Sequence, residues 1–268
     1  MILNDSATGL MELKRLSSPS NSFTIAFTSS RALRHPVIQR LANSTSALVS
    51  AIRYAYKITG AKKGQLEAFR NHFHLYGCTL EDMNVMPRSF LLDSPLECVQ
   101  FFKYANSRPS SWWVLKTSQG YGGDGITVLP NLTSLHDRFG KCSKQNGEFI
   151  VQEYLSDLLL VERRKFDVRG LVLIAGTNPY MLFYHDGYLR VSVKNFDMHG
   201  GRSVHLTNSH VQVHSDGFAP EKHFWSFARF QEFLDKNLPE NDGFVERKLV
   251  PFIKKTSLFI LRTGMQAL

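Results

Sequence analysis

A lysine followed by a glycine-rich loop is the sharpest chemical signal in this sequence. Lys116 ends an apolar run, glycines stand at positions 120, 122, 123 and 125, and a second apolar run covers residues 126–129. Backbone N–H groups of such a loop can approach phosphate oxygens because no Cβ intervenes. Dinucleotide folds with G-x-G-x-x-G need a helix after the loop, whereas residues 126–129 are typical of a strand. The pattern favours a glycine flap over a nucleotide, and a plain glycine-rich hairpin is the alternative.

Charged residues alternate with apolar ones in a second segment. In a strand, Lys165, Asp167 and Arg169 share one face, and Phe166 and Val168 lie on the other. A charged row beside an apolar face is costly unless it lines a polar cleft. The segment therefore predicts such a cleft, with an ordinary salt-bridged sheet face as the alternative.

A further cationic row follows, with Arg190, Ser192 and Lys194 at alternate positions. It comes after the dipeptide at 186–187, Asp-Gly, which predicts a hairpin turn between strands 179–184 and 187–193. Arginine can hold carboxylate or phosphate oxygens in two parallel hydrogen bonds. Two neighbouring rows of this kind indicate an anionic ligand.

The remaining polar signals are weaker. His205, Thr207 and Asn208 form a short polar segment after the cationic rows, which by itself is a loop with capping residues. His210 and His214 have the i,i+4 spacing of zinc ligands, but no cysteine or nearby carboxylate completes a set, so we predict no metal site there.

A protein kinase is excluded because the sequence has no H-R-D or D-F-G motif.

Strands and helices must position these groups. Strands are predicted at residues 112–116, 126–129, 147–153 and 164–175, and helices at 37–56, 63–73, 95–104, 220–234 and 244–261. Ser94 is the predicted N-cap of the helix that begins at Pro95. We interpret residues 1–36 as poorly ordered, 37–110 as a helical region and 111–268 as the region that carries the chemistry. The basic residues of the early helices (Arg53, Lys57, Lys62, Lys63 and Arg70) predict a solvated face or a patch for an acidic partner.

Composition limits the class of protein. The chain has 268 residues, 43% of them hydrophobic, and 32 Lys and Arg against 23 Asp and Glu give a net charge of +9. This charge favours acidic partners. No basic segment followed by a long apolar run begins the chain, and no apolar run is long enough for a membrane span, so we expect a cytoplasmic protein. Cys78, Cys98 and Cys142 form no close pair in the sequence, which favours reduced cysteines.

Taken together, five motifs resemble the tubulin tyrosine ligase-like family. They are Trp113-Val-Leu-Lys116 with Gly123-x-Gly125-Ile, Val151-Gln-Glu-Tyr154, Leu158-Leu-Leu160, Arg164-Lys-Phe-Asp-x-Arg169 and His205-Leu-Thr-Asn208. Residues 178–183 and 187–190 are most similar to the polyglycylase-like branch. The resemblance implies an α+β, ATP-grasp-like fold, in which two α+β lobes enclose a nucleotide cleft.

The resemblance also implies a reaction and a set of roles. ATP phosphorylates a carboxylate of a tubulin tail, and the amino group of free Gly, Glu or Tyr displaces the phosphate. Residues implied to bind the nucleotide are Lys116, Gly123, Gly125, Gln152, Glu153, Tyr154, Leu155, Lys165 and Asp167. Residues implied to surround the acyl-phosphate and the amino acid are Arg169, Arg190, Thr207 and Asn208. The implied partners are tubulin and microtubules rather than nucleic acid or membrane. The implied location is the cytoplasm and cytoskeleton, with the cilium or flagellar axoneme as a specific case.

One departure from the family pattern concerns magnesium. The family binds Mg²⁺ through a late Asp and a Glu-x-Asn, and no Glu-x-Asn follows Asn208 in this sequence. We therefore expect a chain truncated before its final metal-binding strands, with weak or no ligase turnover. The alternative is a non-catalytic protein that binds nucleotide or tubulin.

Overall fold

The computed structural model describes most of the chain after residue 60 and four short strands before it. The described residues are 2–5, 10–13, 25–27, 48–50, 61–76, 85–177 and 180–265, with side chains described for 61–76, 85–172 and 182–263. Contacts divide the chain into Met1–Gly60 with Leu268, and Ala61–Ala267. Elements are numbered below in chain order.

The first unit contains a four-stranded sheet. Its strands, in spatial order, are β1 (Ile2–Asp5), β2 (Leu10–Leu13), β3 (Ile25–Phe27) and β4 (Leu48–Ser50). The first three run antiparallel and β4 pairs parallel to β3. The helix predicted at 37–56 is wrong at Leu48–Ser50, because this short apolar run pairs with β3, and pairing overrides helical spacing. Strands also lie within residues 1–36, and the rest of that predicted helix lies outside the described residues.

The second unit begins with helix α1 (Lys62–Tyr76) and an antiparallel sheet. The sheet has the order β5 (Ser89–Leu91), β8 (Phe149–Glu153), β6 (Trp113–Thr117) and β7 (Ile126–Leu129). Helices α2 (Pro95–Asn106) and α3 (Thr133–Phe139) cover one face. That face buries a core of Phe101, Trp113, Leu135, Phe139 and Val151. The opposite face packs Ile150 and Leu91 against Leu66 of α1, and it carries Lys116.

Another sheet of the second unit carries Asp167, Arg169 and Arg190 on its strands. Its order is β11 (Phe224–Ser226), β10 (Tyr180–Val191) and β9 (Phe166–Thr177), all antiparallel. One face packs on α7 (Phe227–Asn237) and on α8 (Val250–Met265), which a π-helical turn at Val245–Leu249 precedes. Leu189, Trp225 and Phe230 form the centre of this core. Short helices α4 (Arg202–His205), α5 (Ser209–Gln212) and α6 (Pro220–His223) connect β10 to β11.

Two local predictions are wrong, and a third is confirmed in position only. The hairpin turn at 186–187 is instead an irregularity within the continuous strand β10, between His185 and Tyr188. Gly187 is required there, because a Cβ would lie 1.4 Å from the carbonyl oxygen of Arg169. The helix predicted at 220–234 is interrupted by β11, whose backbone pairs with β10. Ser94 does stand at the N-cap of α2, but its side chain makes no capping hydrogen bond.

The cysteine prediction is also corrected. Cys98 and Cys142 are joined in a disulfide, although 44 positions separate them. Helix α2 and the loop after α3 pack on the same face of the sheet, which brings the two Cα atoms to 5.4 Å. Sequence distance alone could not reveal this proximity.

The α+β prediction is confirmed by two antiparallel sheets with helices packed on them. The predicted strands at 112–116, 126–129, 147–153 and 164–175 are present within two residues at each end. A search of the described helices finds none with the length and apolar character of a membrane span.

Candidate active site

Three lysine ammonium groups come together beside the glycine loop. Burial, and secondarily the charge of Lys62, lower the pKa of Lys116 to about 8. Burial and the charge of Lys116 lower the pKa of Lys165 to about 8, and Asp167 opposes this shift. Burial also lowers the pKa of Lys62. No ion pair involves any of the three among the described side chains. We call Lys62, Lys116 and Lys165 the lysine cluster.

Strand pairing positions Lys116 within the cluster. In the β6–β8 register Val114 faces Gln152, so Lys116 and Gln152 lie on the same face of the sheet. Lys116 Nζ donates a hydrogen bond to Gln152 Oε1. Gln152 is buried, and its Nε2 donates to Ser89 Oγ at 2.7 Å. Both ends of the Gln152 amide are thus engaged, and the amide holds the ammonium group in the cleft.

Lys62 is the member of the cluster that sequence patterns missed. It was grouped with the basic residues of a solvated helix face. In the structure it is the first residue of α1, and its Nζ donates to the carbonyl oxygens of Thr117 at 3.0 Å and Gly120 at 2.6 Å. Its position at a helix start gives no sign of this contact, which depends on how α1 packs against Leu91 of β5 and Ile150 of β8.

Residues 118–125 form the glycine flap, which lies between β6 and β7 as predicted. Gly122, Gly123 and Gly125 all have positive φ angles, of 63°, 100° and 69°. A Cβ at Gly125 would lie 2.0 Å from Thr117 Oγ1, so only glycine fits this turn without a shift. Strand β7 follows directly, which confirms a hairpin rather than a dinucleotide fold.

The flap contacts the segment that carries Thr207 and Asn208. A Cβ at Gly123 would lie 3.2 Å from Asn208 Oδ1 and 3.0 Å from Val211 Cγ2. Arg202 donates from Nη2 to the carbonyl oxygen of Gly123 at 2.8 Å and lies 3.3 Å from Asp124 Oδ1. The structure therefore brings the glycine loop together with the polar segment after β10.

Replacing Gly123 by alanine is expected to weaken binding of ATP by about 5- to 20-fold. The positive φ angle and the close approach of Val211 would force the flap away from Asn208, at a cost of roughly 1 to 2 kcal/mol. Calorimetric titration with ATP would measure the change. Gly201→Ala is the matched control, because nothing lies within 4 Å of the added Cβ. Equal affinities of the two variants would contradict this role of the flap.

Asp167 and Arg190 form a fork-shaped ion pair across β9 and β10. Arg190 is buried, and its Nε and Nη2 donate to the two carboxylate oxygens of Asp167 at 2.9 and 2.6 Å. The strand register places these residues directly opposite each other. Arg169 shares this face but is half exposed, and its Nε lies 4.0 Å from Asp167 Oδ2. The predicted charged row thus exists, and its carboxylate aligns the guanidinium group of Arg190.

A buried glutamine supports Thr207 and Asn208. Gln212 is fully buried, and its Nε2 donates to the carbonyl oxygens of Ser203 at 2.7 Å and Leu206 at 2.6 Å. Its Oε1 accepts a hydrogen bond from the backbone N–H of Val193 at 2.8 Å. The amide therefore fastens the loop before Thr207 to the chain that leaves β10. Thr207 itself is buried.

The side chains at the end of β8 and directly after it point in different directions. Glu153 lies on the face of β8 away from Lys116, and its Oε2 accepts a hydrogen bond from Tyr104 at 3.0 Å. Tyr154 is buried and contacts Lys165, whereas Leu155 is exposed. Of the predicted nucleotide-binding residues, Lys116, Gln152, Tyr154, Lys165 and Asp167 lie in one connected region, and the Glu153 side chain points elsewhere.

The donor set suits an anion rather than a metal ion. Within the part of the chain whose side chains are described, no three His, Cys, Asp or Glu residues are placed to hold a metal ion. The lysine cluster, by contrast, offers ammonium donors whose repulsion a phosphate chain would relieve. Backbone N–H groups of the flap add further donors for phosphate oxygens.

Several known proteins are similar to parts of this chain. The chain is 30% identical over 165 residues to the protein polyglycylase TTLL10 of Macaca fascicularis, covering 56% of this chain and 26% of the relative. It is 29% identical over 185 residues to the inactive polyglycylase TTLL10 of Homo sapiens, covering 63% and 27%. With tubulin glycylase 3B of Drosophila melanogaster it shares 34% identity over 131 residues, covering 46% and 17%. The matches thus span about a quarter or less of each relative.

Among solved structures, the chain is similar to the C-terminal domain of K. lactis Pby1, an ATP-grasp enzyme that interacts with the mRNA decapping enzyme Dcp2. The TM-score is 0.49 at 16% identity, covering 93% of this chain and 66% of that chain. Residues 39–258 match the Tubulin-tyrosine ligase family, and they include every site residue described above. The chain therefore belongs to the tubulin-tyrosine ligase family.

Proposed function

We propose that this chain carries the nucleotide-binding region of an ATP-dependent ligase that modifies tubulin C-terminal tails. The observation that carries the proposal is the lysine cluster, which is partly buried beside the glycine flap without an ion-pair partner among the described residues. Three ammonium groups with lowered pKa values are costly in the free protein. A polyphosphate would remove that cost by supplying the missing negative charge.

The proposed chemistry forms an amide bond in two steps. A carboxylate oxygen of the tail attacks the γ-phosphorus of ATP, the bond to the β-phosphate oxygen breaks, and ADP leaves. The amino group of glycine, glutamate or tyrosine then attacks the acyl carbon, phosphate leaves, and the amine loses a proton. Both steps build negative charge on oxygen, which preorganised donors stabilise.

The residues divide this work by position. Lys62, Lys116, Lys165 and the flap at Gly123 and Gly125 would hold the phosphates. Gln152 would orient Lys116, and the backbone of residues 153–155 would lie along the nucleotide base, since the Glu153 side chain points away. Arg190, aligned by Asp167, would face the transferred phosphate together with Arg169, Thr207 and Asn208. Support comes from the Asp167–Arg190 fork, which fixes a guanidinium group for an oxyanion.

The proposed partner is the acidic tail of tubulin. The net charge of +9 favours association with such a tail. Names of relatives mention glycine and glutamate, since they include a tubulin monoglycylase of Mus musculus and a tubulin polyglutamylase of Xenopus tropicalis. We therefore propose a cytoplasmic, cytoskeletal location, with the cilium or axoneme as a specific case.

The 268-residue polypeptide alone is expected to ligate little or no amino acid. No Glu-x-Asn follows Asn208 in it, and roughly 4 kcal/mol of lost transition-state stabilisation slows a reaction about a thousandfold. The test is ATP-dependent incorporation of labelled glycine, glutamate or tyrosine into tubulin by the purified polypeptide, with a related full-length glycylase as the positive control. Incorporation at a rate near that of the control would contradict the expectation.

A second candidate is a non-catalytic protein that binds nucleotide and tubulin. It is favoured by the similarity to a human relative that is named inactive. Co-sedimentation of the polypeptide with microtubules, without any modification of tubulin at long reaction times and with added Mg²⁺, would support it. Measurable ligation would exclude it.

A further inference from the structure

His205 connects the lysine cluster to the Thr207–Asn208 segment through one tyrosine. Lys165 Nζ donates a hydrogen bond to the Tyr154 hydroxyl at 2.9 Å, and that hydroxyl lies 2.9 Å from His205 Nδ1. Both rings are buried, with 7% of Tyr154 and 5% of His205 exposed. The roles assigned above to residues near the phosphates do not include His205.

Proton positions in this chain of contacts follow from the donors. An ammonium group can only donate, so the Tyr154 oxygen accepts from Lys165 and its own hydrogen points to His205 Nδ1. Burial raises the pKa of Tyr154 to about 12, which keeps the phenol protonated. Burial, and secondarily the charge of Lys165, lower the pKa of His205, which keeps the imidazole neutral with Nδ1 as acceptor. The other ring nitrogen then carries the hydrogen.

Two separate segments, residues 196–200 and Tyr154, hold the imidazole ring in place. Backbone groups of Gly200 and Met198 interact with it and oppose the lowering of its pKa. Phe196 and Tyr154 pack edge-on against it, with ring centroids 6.0 and 5.4 Å away. Few alternative orientations therefore remain for the His205 ring. The Tyr154 hydroxyl, which donates a hydrogen bond to this ring, is restricted in the same way.

The ammonium group of Lys165 needs such a fixed acceptor. It is repelled by Lys116, and the nearest carboxylate, Asp167, is occupied by Arg190. The Tyr154 ring also lies beneath it, with the centroid 4.6 Å from Nζ. Without the hydroxyl, the flexible side chain would have no buried acceptor to define where its charge points.

We infer that Tyr154 and His205 are positioning residues, which together aim the Lys165 ammonium group at the phosphates of the bound nucleotide. This inference rests on the proposed function, since it concerns the same cleft. A satisfied core histidine is the purely structural alternative. The two differ in one respect, because a positioning role affects binding of the phosphates and not binding of the nucleoside.

The experiment compares the affinities of ATP and adenosine in matched variants by calorimetric titration. Tyr154→Phe and His205→Phe keep the rings and remove the hydrogen bonds, and we expect each to lower ATP affinity by about 5- to 20-fold with adenosine affinity unchanged. His205→Asn returns an oxygen near the position of Nδ1 and is expected to recover ATP affinity to within about threefold of the wild type. Tyr104→Phe removes a phenol hydrogen bond on the opposite face of the sheet and serves as the control.

Each outcome has a defined meaning. Unchanged ATP affinity in Tyr154→Phe and His205→Phe, or equal losses for ATP and adenosine, would overturn the inference. If Tyr154→Phe fails to fold, the comparison of His205→Phe with His205→Asn decides the matter. A wild-type protein that binds neither ligand would overturn the proposed function itself. If the wild type binds ATP but the variants behave like it, only the inference about Tyr154 and His205 fails.

Discussion

Replacing Lys116 by methionine is expected to weaken ATP binding by about 10- to 100-fold. A buried, charge-assisted hydrogen bond to phosphate contributes about 1.5 to 3 kcal/mol, which the thioether side chain cannot supply. The same change is expected to raise the free energy of unfolding by about 1 kcal/mol, because the lowered pKa of Lys116 shows that its charge destabilises the free protein. Titration calorimetry and urea unfolding measure the two effects.

The pH dependence of binding follows from the same pKa values. Lys116 and Lys165 have pKa values of about 8 in the free protein, so both are mostly protonated at pH 7 and lose their protons as the pH rises through 8. Phosphates bind the protonated form, and binding above pH 8 requires proton uptake. ATP affinity should therefore fall by up to about tenfold per pH unit per lysine above pH 8.

Two controls test whether the loss of ATP affinity is specific to the partly buried lysines and to the phosphates. Lys236→Met changes an exposed lysine on α7 and should leave ATP affinity and its pH profile unchanged. Adenosine binding should not follow the pH profile, because adenosine has no phosphate. A pH-independent ATP affinity between pH 7 and 10, or a loss of stability in Lys116→Met without loss of ATP affinity, would contradict the assignment.

The second large effect concerns the Asp167–Arg190 pair. Arg190→Ala is expected to lower the free energy of unfolding by about 2 to 3 kcal/mol. Removing one partner of a largely buried pair leaves the Asp167 carboxylate, which is only 34% exposed, with the weaker compensation of Arg169 at 4.0 Å. Arg190→Lys is expected to lose most of the same stability, because an ammonium group cannot make the two parallel hydrogen bonds of the fork.

An exposed pair in the same chain provides the control. Arg247 and Asp242 lie 3.1 Å apart, with 65% and 78% of their side chains exposed. Arg247→Ala should change the free energy of unfolding by less than about 0.5 kcal/mol. Equal effects of Arg190→Ala and Arg247→Ala in urea titrations would show that the fork does not stabilise the fold.

Local patterns were sufficient to predict strands β6 and β7 and the charged row on β9. Residues 113–117 and 126–129 are short apolar or β-branched runs around a glycine loop, and such runs predict a hairpin whatever surrounds them. Alternation also predicted that Asp167 shares a face with Arg169 and that Phe166 and Val168 lie in the core. These features depend on strand period alone.

Features that depend on packing between distant segments could not be predicted. Lys62 joins the lysine cluster only because α1 packs on β5 and β8, and its neighbours in the sequence are ordinary helix residues. Leu48–Ser50 has helical spacing but pairs with β3. Gly187 reads as a turn residue, yet it allows β10 to pass close to Arg169. In each case the deciding partner is more than 10 residues away.

Titration of the wild-type protein with ATP and with adenosine at pH 7 is the most direct test of the central claim that the lysine cluster binds a polyphosphate. The account predicts one ATP per chain and an affinity at least about 100-fold higher for ATP than for adenosine. Equal affinities for the two, or no binding of ATP, would contradict it.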